Sequence, residues 1–478
     1  MKKQLSTLII ATSVLTGSVV TPLLPHEVSA AAVQQKGEFS KEKVVVNGQL
    51  KDIQYTVSNK QKLYSARDLA KLMSATVSYD NKSKAYTFSK KIGTQKVSIM
   101  VVPSKGSTKI NGKVVKLNIA PKLVSNSLFV DAKSFIQALG GDLVATQNGS
   151  FISVAGLISG DTFNPQWVND STVLVSNETA SGAKSYLINV DNKKSSLEIS
   201  GTEVSVSPSG KSAIYTDEKG IIYLTNLATN KTVILNDKDD NEKFEFVWSK
   251  NEDKVYFFNG KDTDKIYNVN VKDGALTTVY ADAFKYKSDL HLSNDGQKLL
   301  YSVSNEAKTN YTDSDNTDVS DIDLTDTEPQ LFSLDLNAAE LKPLQLTVTK
   351  DNKVFINLLN NRNVVYTGYS TDSDAMPILY MIDQSNKVIP LVTNKDIIST
   401  VVTAQGKLLI LVSEKNGDQV IYEVNSSTKA LTKVVQTKLE LTSFSVSIDG
   451  KRIAVTSPGA NGDVLMVVKN GFFEAVTK

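Results

Sequence analysis

The sequence predicts a mainly β chain: a small duplicated α+β module near the N-terminus, then a seven-bladed β-propeller of four-stranded blades. Three observations predict it. A strand–turn–strand pattern, clearest in VSVSPSGKSAIY at residues 204–215, recurs down the C-terminal two thirds. Its turns, at positions 170, 209, 252, 295, 361, 405 and 449, are separated by 39, 43, 43, 66, 44 and 44 residues, so six steps define seven units. A second self-similarity, at an offset of 66, relates residues 63–77 to 129–143.

Residues 1–30 read as a secretory signal. Lys2 and Lys3 precede an apolar core over 5–20, and Val28-Ser29-Ala30 supplies a small-residue cleavage site. The expected location is therefore secreted or extracellular, with cell-wall association. No cysteine is present, which removes a lipid-anchored cysteine, disulfides, thiol catalysis and Cys-ligated zinc. An exported, lysine-rich, cysteine-free chain suggests a Gram-positive bacterium. Residues 31–43 are polar and aperiodic, and read as a linker.

The module spans 44–158. Each of its two units reads as an Asn-Gly turn, an extended segment, a short helix and strands. Leu69, Leu72 and Met73 repeat as Phe135, Ala138 and Leu139, spaced i, i+3, i+4 as on one helix face. The turns Asn47-Gly48 and Asn111-Gly112, the helix start at 65–70 (SARDLA) and the VSYD strand at 77–80 resemble the copper amine oxidase N-terminal-like, or stalk, domain. The resemblance does not imply amine oxidation, which in the named enzymes resembles a three-histidine copper site on another domain. This chain has two histidines, His26 within the signal and His291, which reads as an ordinary strand residue.

The propeller spans 160–478. Each turn leads to an apolar strand, then to an alternating third strand (222–227 or 420–424, for example) and a fourth. Four short strands at a period near 43 need neighbouring sheets to cover both faces, which radial closure supplies. Sandwich domains would need about 100 residues per unit. Trp167 and Trp248 precede their turns, and 206–211 and 446–451 match the Ser-Pro-Asp-Gly turn best; these repeats resemble TolB-like and WD40-like propellers. Both tryptophans are expected between blades. The 66-residue step marks an acidic insertion at 306–329.

Near-neutral total charge hides two opposed bodies. Residues 33–155 hold 19 lysines and arginines against 7 acids, a net of +12. The rest, the signal excepted, holds 32 against 43, a net of −11. Such asymmetry concerns partners. The lysines fall in turns and strand ends, and Lys82, Lys84, Lys90, Lys91, Lys109, Lys113 and Lys116 are the candidates for contact with an anionic wall polymer, from a wider set that includes Lys96 and Lys105. Lysine suits diffuse polyanions. Nucleic acid does not fit an exported chain without interleaved stacking aromatics.

The insertion's Asp313, Asp315, Asp318, Asp321 and Asp323 are weak calcium candidates, hard oxygens at close spacing without an EF-hand glycine or terminal glutamate. Residues 237–240 (DKDD) look like a blade turn. No other cofactor is expected. No G-x-S-x-G elbow or sialidase box is present. The reading is a non-enzymatic, envelope-associated binding protein. Its basic module contacts anionic wall and its propeller offers a surface to an extracellular protein or glycan. The alternative is a propeller that binds or acts on extracellular polysaccharide with Asp or Glu at its axial mouth.

Overall fold

The computed structural model describes residues 39–478 apart from 47–48, 147–148, 180–181, 261–264, 285, 310–321, 371–374 and 470. The signal and the Asn47-Gly48 turn lie outside the described residues. The first strand, β1 (Ser40–Val46), begins inside the segment expected to be linker, because Val44 to Val46 bury their side chains and pairing with the next strand continues back to Ser40.

The N-terminal module has two sheets around two short helices. β1, β2 (Gln49–Ser58) and β3 (Gln61–Ser65) form a meander that leads into α1 (Ala66–Leu72). Ser65 caps α1 by accepting from the Asp68 N–H at 3.2 Å. Then come β4 (Thr76–Asp80), β5 (Ala85–Ile92), β6 (Gln95–Val101), β7 (Ser107–Ile110) and β8 (Lys113–Lys116), which pair in that order as one antiparallel sheet. The β7–β8 turn uses Asn111 and Gly112 at φ 48° and 81°, as a two-residue hairpin turn with both φ positive requires. β9 (Lys122–Val124), β10 (Ser127–Val130), α2 (Ala132–Ala138), β11 (Asp142–Thr146) and β12 (Gly149–Ser153) follow. Asp131 caps α2 through the Ser134 N–H at 2.8 Å.

These later strands return to the first sheet, whose order is β11-β12-β1-β2-β3-β10-β9, with β1 and β12 parallel. The two related sequence segments therefore send their terminal hairpins to different sheets. Leu69, Met73, Phe135, Ile136 and Leu139 from the helices meet Phe88, Ile99 and Val101 in one core.

Seven blades follow, at 161–199, 202–236, 242–280, 286–345, 352–392, 396–437 and 443–475. In every blade the strand order is the chain order, and among the described residues each blade is made of four strands from its own stretch of chain. A separate apolar cluster fills each gap between neighbours, and Trp167 lies in the one between blades 7 and 1, Trp248 in the one between 2 and 3. The ring thus closes by packing. Its seam adds Thr162 Oγ1 donating to Thr477 Oγ1 at 3.1 Å, the Asp449 N–H donating to Asp170 Oδ1 at 3.0 Å, and a buried Lys193–Glu474 ion pair.

The module is packed onto this ring. Val45, Val144 and Phe151 share a core with Leu411, Leu441, Phe444 and Met466 of blades 6 and 7 and their linker. Thr146 pairs with Gly459 across the junction, and Lys478 Nζ reaches Asp142 Oδ1 at 2.7 Å while the Leu157 N–H donates to Asp142 Oδ2 at 2.8 Å.

The insertion begins and ends as a two-stranded ladder, Lys308–Thr309 against Ile322–Asp323. Asp313, Asp315, Asp318 and Asp321 lie outside the described residues.

Candidate functional site: a lysine sheet and an axial cavity

The β4–β8 sheet occupies residues 76–116, which carry nine lysines and one acid, Asp80. Phe88, Ile99 and Ile110, in register with one another, face the helices; the Phe88 and Phe135 rings lie 4.9 Å apart. The opposite pleat therefore faces outward. It carries Lys91 directly across from Lys96, Lys109 across from Met100, and Lys116 across from Ser107. Between them lie hydroxyls: Thr76 pairs with Ser89, Ser78 with Thr87, and Ser89 with Ser98. The Lys96 and Lys109 levels are four residues apart, about 14 Å along the strands. Lys82 and Lys84 stand in the exposed β4–β5 turn, and Lys113 on the helix-side pleat of the edge strand. Among the described residues no carboxylate comes within ion-pair distance of Lys82, Lys84, Lys91, Lys96, Lys109, Lys113 or Lys116.

One of the seven sequence candidates is corrected. Lys90 lies on the inward pleat, and its ammonium donates to the Val154 carbonyl at 2.9 Å. Burial holds its pKa below the ordinary lysine value. It ties the sheet to the end of the module, and Lys96 belongs on the outward face in its place.

A second site lies on the innermost strands of the propeller. The innermost strands of blades 1, 3, 4 and 5 each bulge at one level, where Asn164, Glu245, Asp289 and Phe355 take φ of 51°, 57°, 57° and 52°. Two residues oppose one at such a bulge and the side chain is re-aimed. A cavity of about 270 Å³ opens there, lined by Phe163, Asn164, Ser176, Ser205 and Glu245 above Val204 and Phe246. Glu245 Oε2 accepts from the Leu290 N–H of the next blade at 2.7 Å. Asp289 Oδ2 accepts from the Ser288 and Ser302 hydroxyls, each at 3.0 Å. Sequence reading did not single these residues out, although each stands three positions before the apolar residue that precedes its turn: Trp167, Trp248, Leu292 and Leu358.

His291 stays a structural residue. It shares a hydrogen bond with the Ile356 backbone of blade 5, and burial keeps its pKa below the usual histidine value. Gln166 plays the same part between blades 1 and 2, donating to the Val204 carbonyl and accepting from the Val206 N–H at 2.7 and 3.0 Å. At residues 237–240 the cation is internal: Lys243 Nζ donates to the carbonyls of Gly220, Asp239 and Asn241 at 2.8–2.9 Å. Asp323 bonds the Thr325 N–H at 2.9 Å, and among the described residues no group of three metal-binding side chains gathers. A larger cleft of about 490 Å³ on blade 6 is satisfied within itself, since Glu414 takes Lys395 at 2.6 Å and the Tyr422 hydroxyl at 2.8 Å. Burial and Glu414 push that tyrosine up to about 12.

Residues 45–153 match the family described as the copper amine oxidase N-terminal domain. Among curated proteins the chain has no match. Among solved structures it is similar to an oligogalacturonate lyase in complex with manganese, 12% identical, over 69% of this chain and 95% of that one, with a TM-score of 0.50. It is similar to a puromycin hydrolase, 11% identical, over 67% of this chain and 54% of that one, again at 0.50. A TolB from Acinetobacter baumannii is 14% identical over 62% and 77%, with a TM-score of 0.37. At these identities the likeness is one of fold. It corrects the expectation of a non-enzymatic protein: solved structures of this fold include a lyase and a hydrolase, so the architecture gives no ground for setting catalysis aside.

Proposed function

We propose that this is an exported, envelope-associated protein that holds an anionic polymer of the cell exterior on the outward face of the β4–β8 sheet, and presents its propeller to a second extracellular ligand. One observation carries the reading: the sheet and its turns hold nine lysines against one acid, and among the described residues the outward lysines Lys91, Lys96, Lys109 and Lys116 are in no ion pair. Cross-strand neighbours of like charge destabilise a sheet, and Lys91 opposite Lys96 is such a pair. A polyanion laid across them removes that repulsion. We take the two related segments of the module to be an internal duplication, from their 66-residue offset and their matching capped helices.

The test uses the whole chain, because the shared core joins both halves. Immobilised polyphosphate should retain it at low salt and release it near molar salt, where screening shortens to about 3 Å. A variant with Lys91, Lys96, Lys109 and Lys116 all changed to Ala should elute at clearly lower salt. Elution of that variant with the wild type would sink the reading.

A second reading, a propeller that works on an extracellular polysaccharide at its axis, is favoured by the inward bulges that carry Glu245 and Asp289. The architecture is that of a structure described as an oligogalacturonate lyase. Release of new sugar ends from a panel of polysaccharides, lost in Glu245→Gln or Asp289→Asn, is the expected result.

A further inference from the structure

We propose that the axial cavity binds a small polyhydroxylated ligand bearing an amino group, about the size of one sugar ring. This deepens the second reading above, on which it rests for the axis as the working site. It is independent of the lysine sheet.

The backbone is the first argument. Left-handed φ costs an L-residue about 1–2 kcal/mol, less for Asn and Asp, and glycine would form the same bulge without that cost. Blades 1, 3, 4 and 5 place Asn, Glu, Asp and Phe there instead. What glycine would give up is the side chain, and strain retained for a side chain marks a working position.

The lining is the second argument. Phe163 is 43% exposed although it belongs to an innermost strand. The lining joins the Phe163 ring, the Glu245 carboxylate, the Asn164 amide and the hydroxyls of Ser176 and Ser205, and among the described residues it includes no lysine, arginine or histidine. An aromatic face and a carboxylate are the two groups that attract an ammonium. An amide and two hydroxyls donate to and accept from ligand hydroxyls. At about 270 Å³ the cavity is just below the range of drug-sized pockets, which suits one sugar ring, free or at the end of a chain. The −11 charge of the propeller draws a cation toward it.

Glucosamine and glucose are the probes, titrated calorimetrically into the full-length protein. Glucosamine should bind at least about tenfold more tightly than glucose. Glu245→Gln keeps an acceptor for the Leu290 N–H and should level the two sugars; Phe163→Ala should weaken both. The four-lysine variant should bind glucosamine as the wild type does. Failure of glucosamine to bind, equal binding of both sugars by the wild type, or a glucosamine preference that survives Glu245→Gln overturns the proposal. Because binding is measured without turnover, a protein that binds glucosamine yet cleaves nothing counts against the polysaccharide-acting reading and supports this one.

Discussion

Lys243, Lys287 and Lys353 are the second residues of the innermost strands of blades 3, 4 and 5, and all three side chains are buried. Their ammonium groups close the inter-blade linkers: Lys287 donates to Asp282 Oδ1 at 2.6 Å and the Phe284 carbonyl at 2.8 Å, Lys353 to the carbonyls of Thr349 and Asp351 at 2.9 and 2.6 Å. Buried carbonyls left without donors are costly, so Lys243→Met should lower the unfolding free energy by about 3 kcal/mol in denaturant titrations. Asp449 makes a prediction about pH. Its carboxylate accepts from the Ser447 hydroxyl at 2.7 Å and the Lys451 N–H at 3.0 Å, which holds its pKa at about 2 against an ordinary 3.8. The folded-state value is the lower one, so its stabilisation is complete above about pH 4 and is lost as pH falls through 2. An NMR titration of the Asp449 carboxyl should show it still charged at pH 3. Neither role was legible from the residue alone. A lysine in sequence defaults to the surface, and nothing local distinguishes Lys243 from Lys250.

At the scale of the element, the β4–β8 sheet carries a cross-strand pair of like charge, Lys91 and Lys96, that costs it stability. Lys91→Glu would turn a repulsive cross-strand pair with Lys96 into an attractive one, raising stability by about 0.5 kcal/mol while it lowers retention on polyphosphate. A thermal melt and a salt elution on one sample check both signs. The blades were legible because each turn repeats a strand–turn–strand pattern that burial requires. Turn glycines mark them too: Gly210, at φ 69°, lies so close to blade 1 that a Cβ would meet the Val168 carbonyl at 1.8 Å. The lysine sheet was legible as composition and not as an element. Its strands β6 and β7 bury one pleat only, and β8 is exposed along its whole length. The axial bulges were hidden for another reason. Their left-handed positions carry Asn, Glu, Asp and Phe, and the usual glycine signal is missing.

At the scale of the molecule, two charge blocks legible in sequence turn out to share one core. Val45, Val144 and Phe151 pack with Leu441, Phe444 and Met466, so the module and propeller should unfold together in one calorimetric transition; two resolved transitions would contradict this. The ring's seam is its own weak point because, among the described residues, no strand crosses it. Glu474→Ala would strand Lys193 in a buried site and should cost about 3–5 kcal/mol. How the ring closes was not legible, since packing between chain ends leaves no local pattern.

The junction has a mechanical consequence. The chain enters blade 1 from the module, while the module's surface is fastened to blades 6 and 7, with Lys478 gripping Asp142. The module therefore straddles the one joint where the circle could spring open, as a buckle straddles the ends of a belt. A load applied to the module would therefore pass to both ends of the circle.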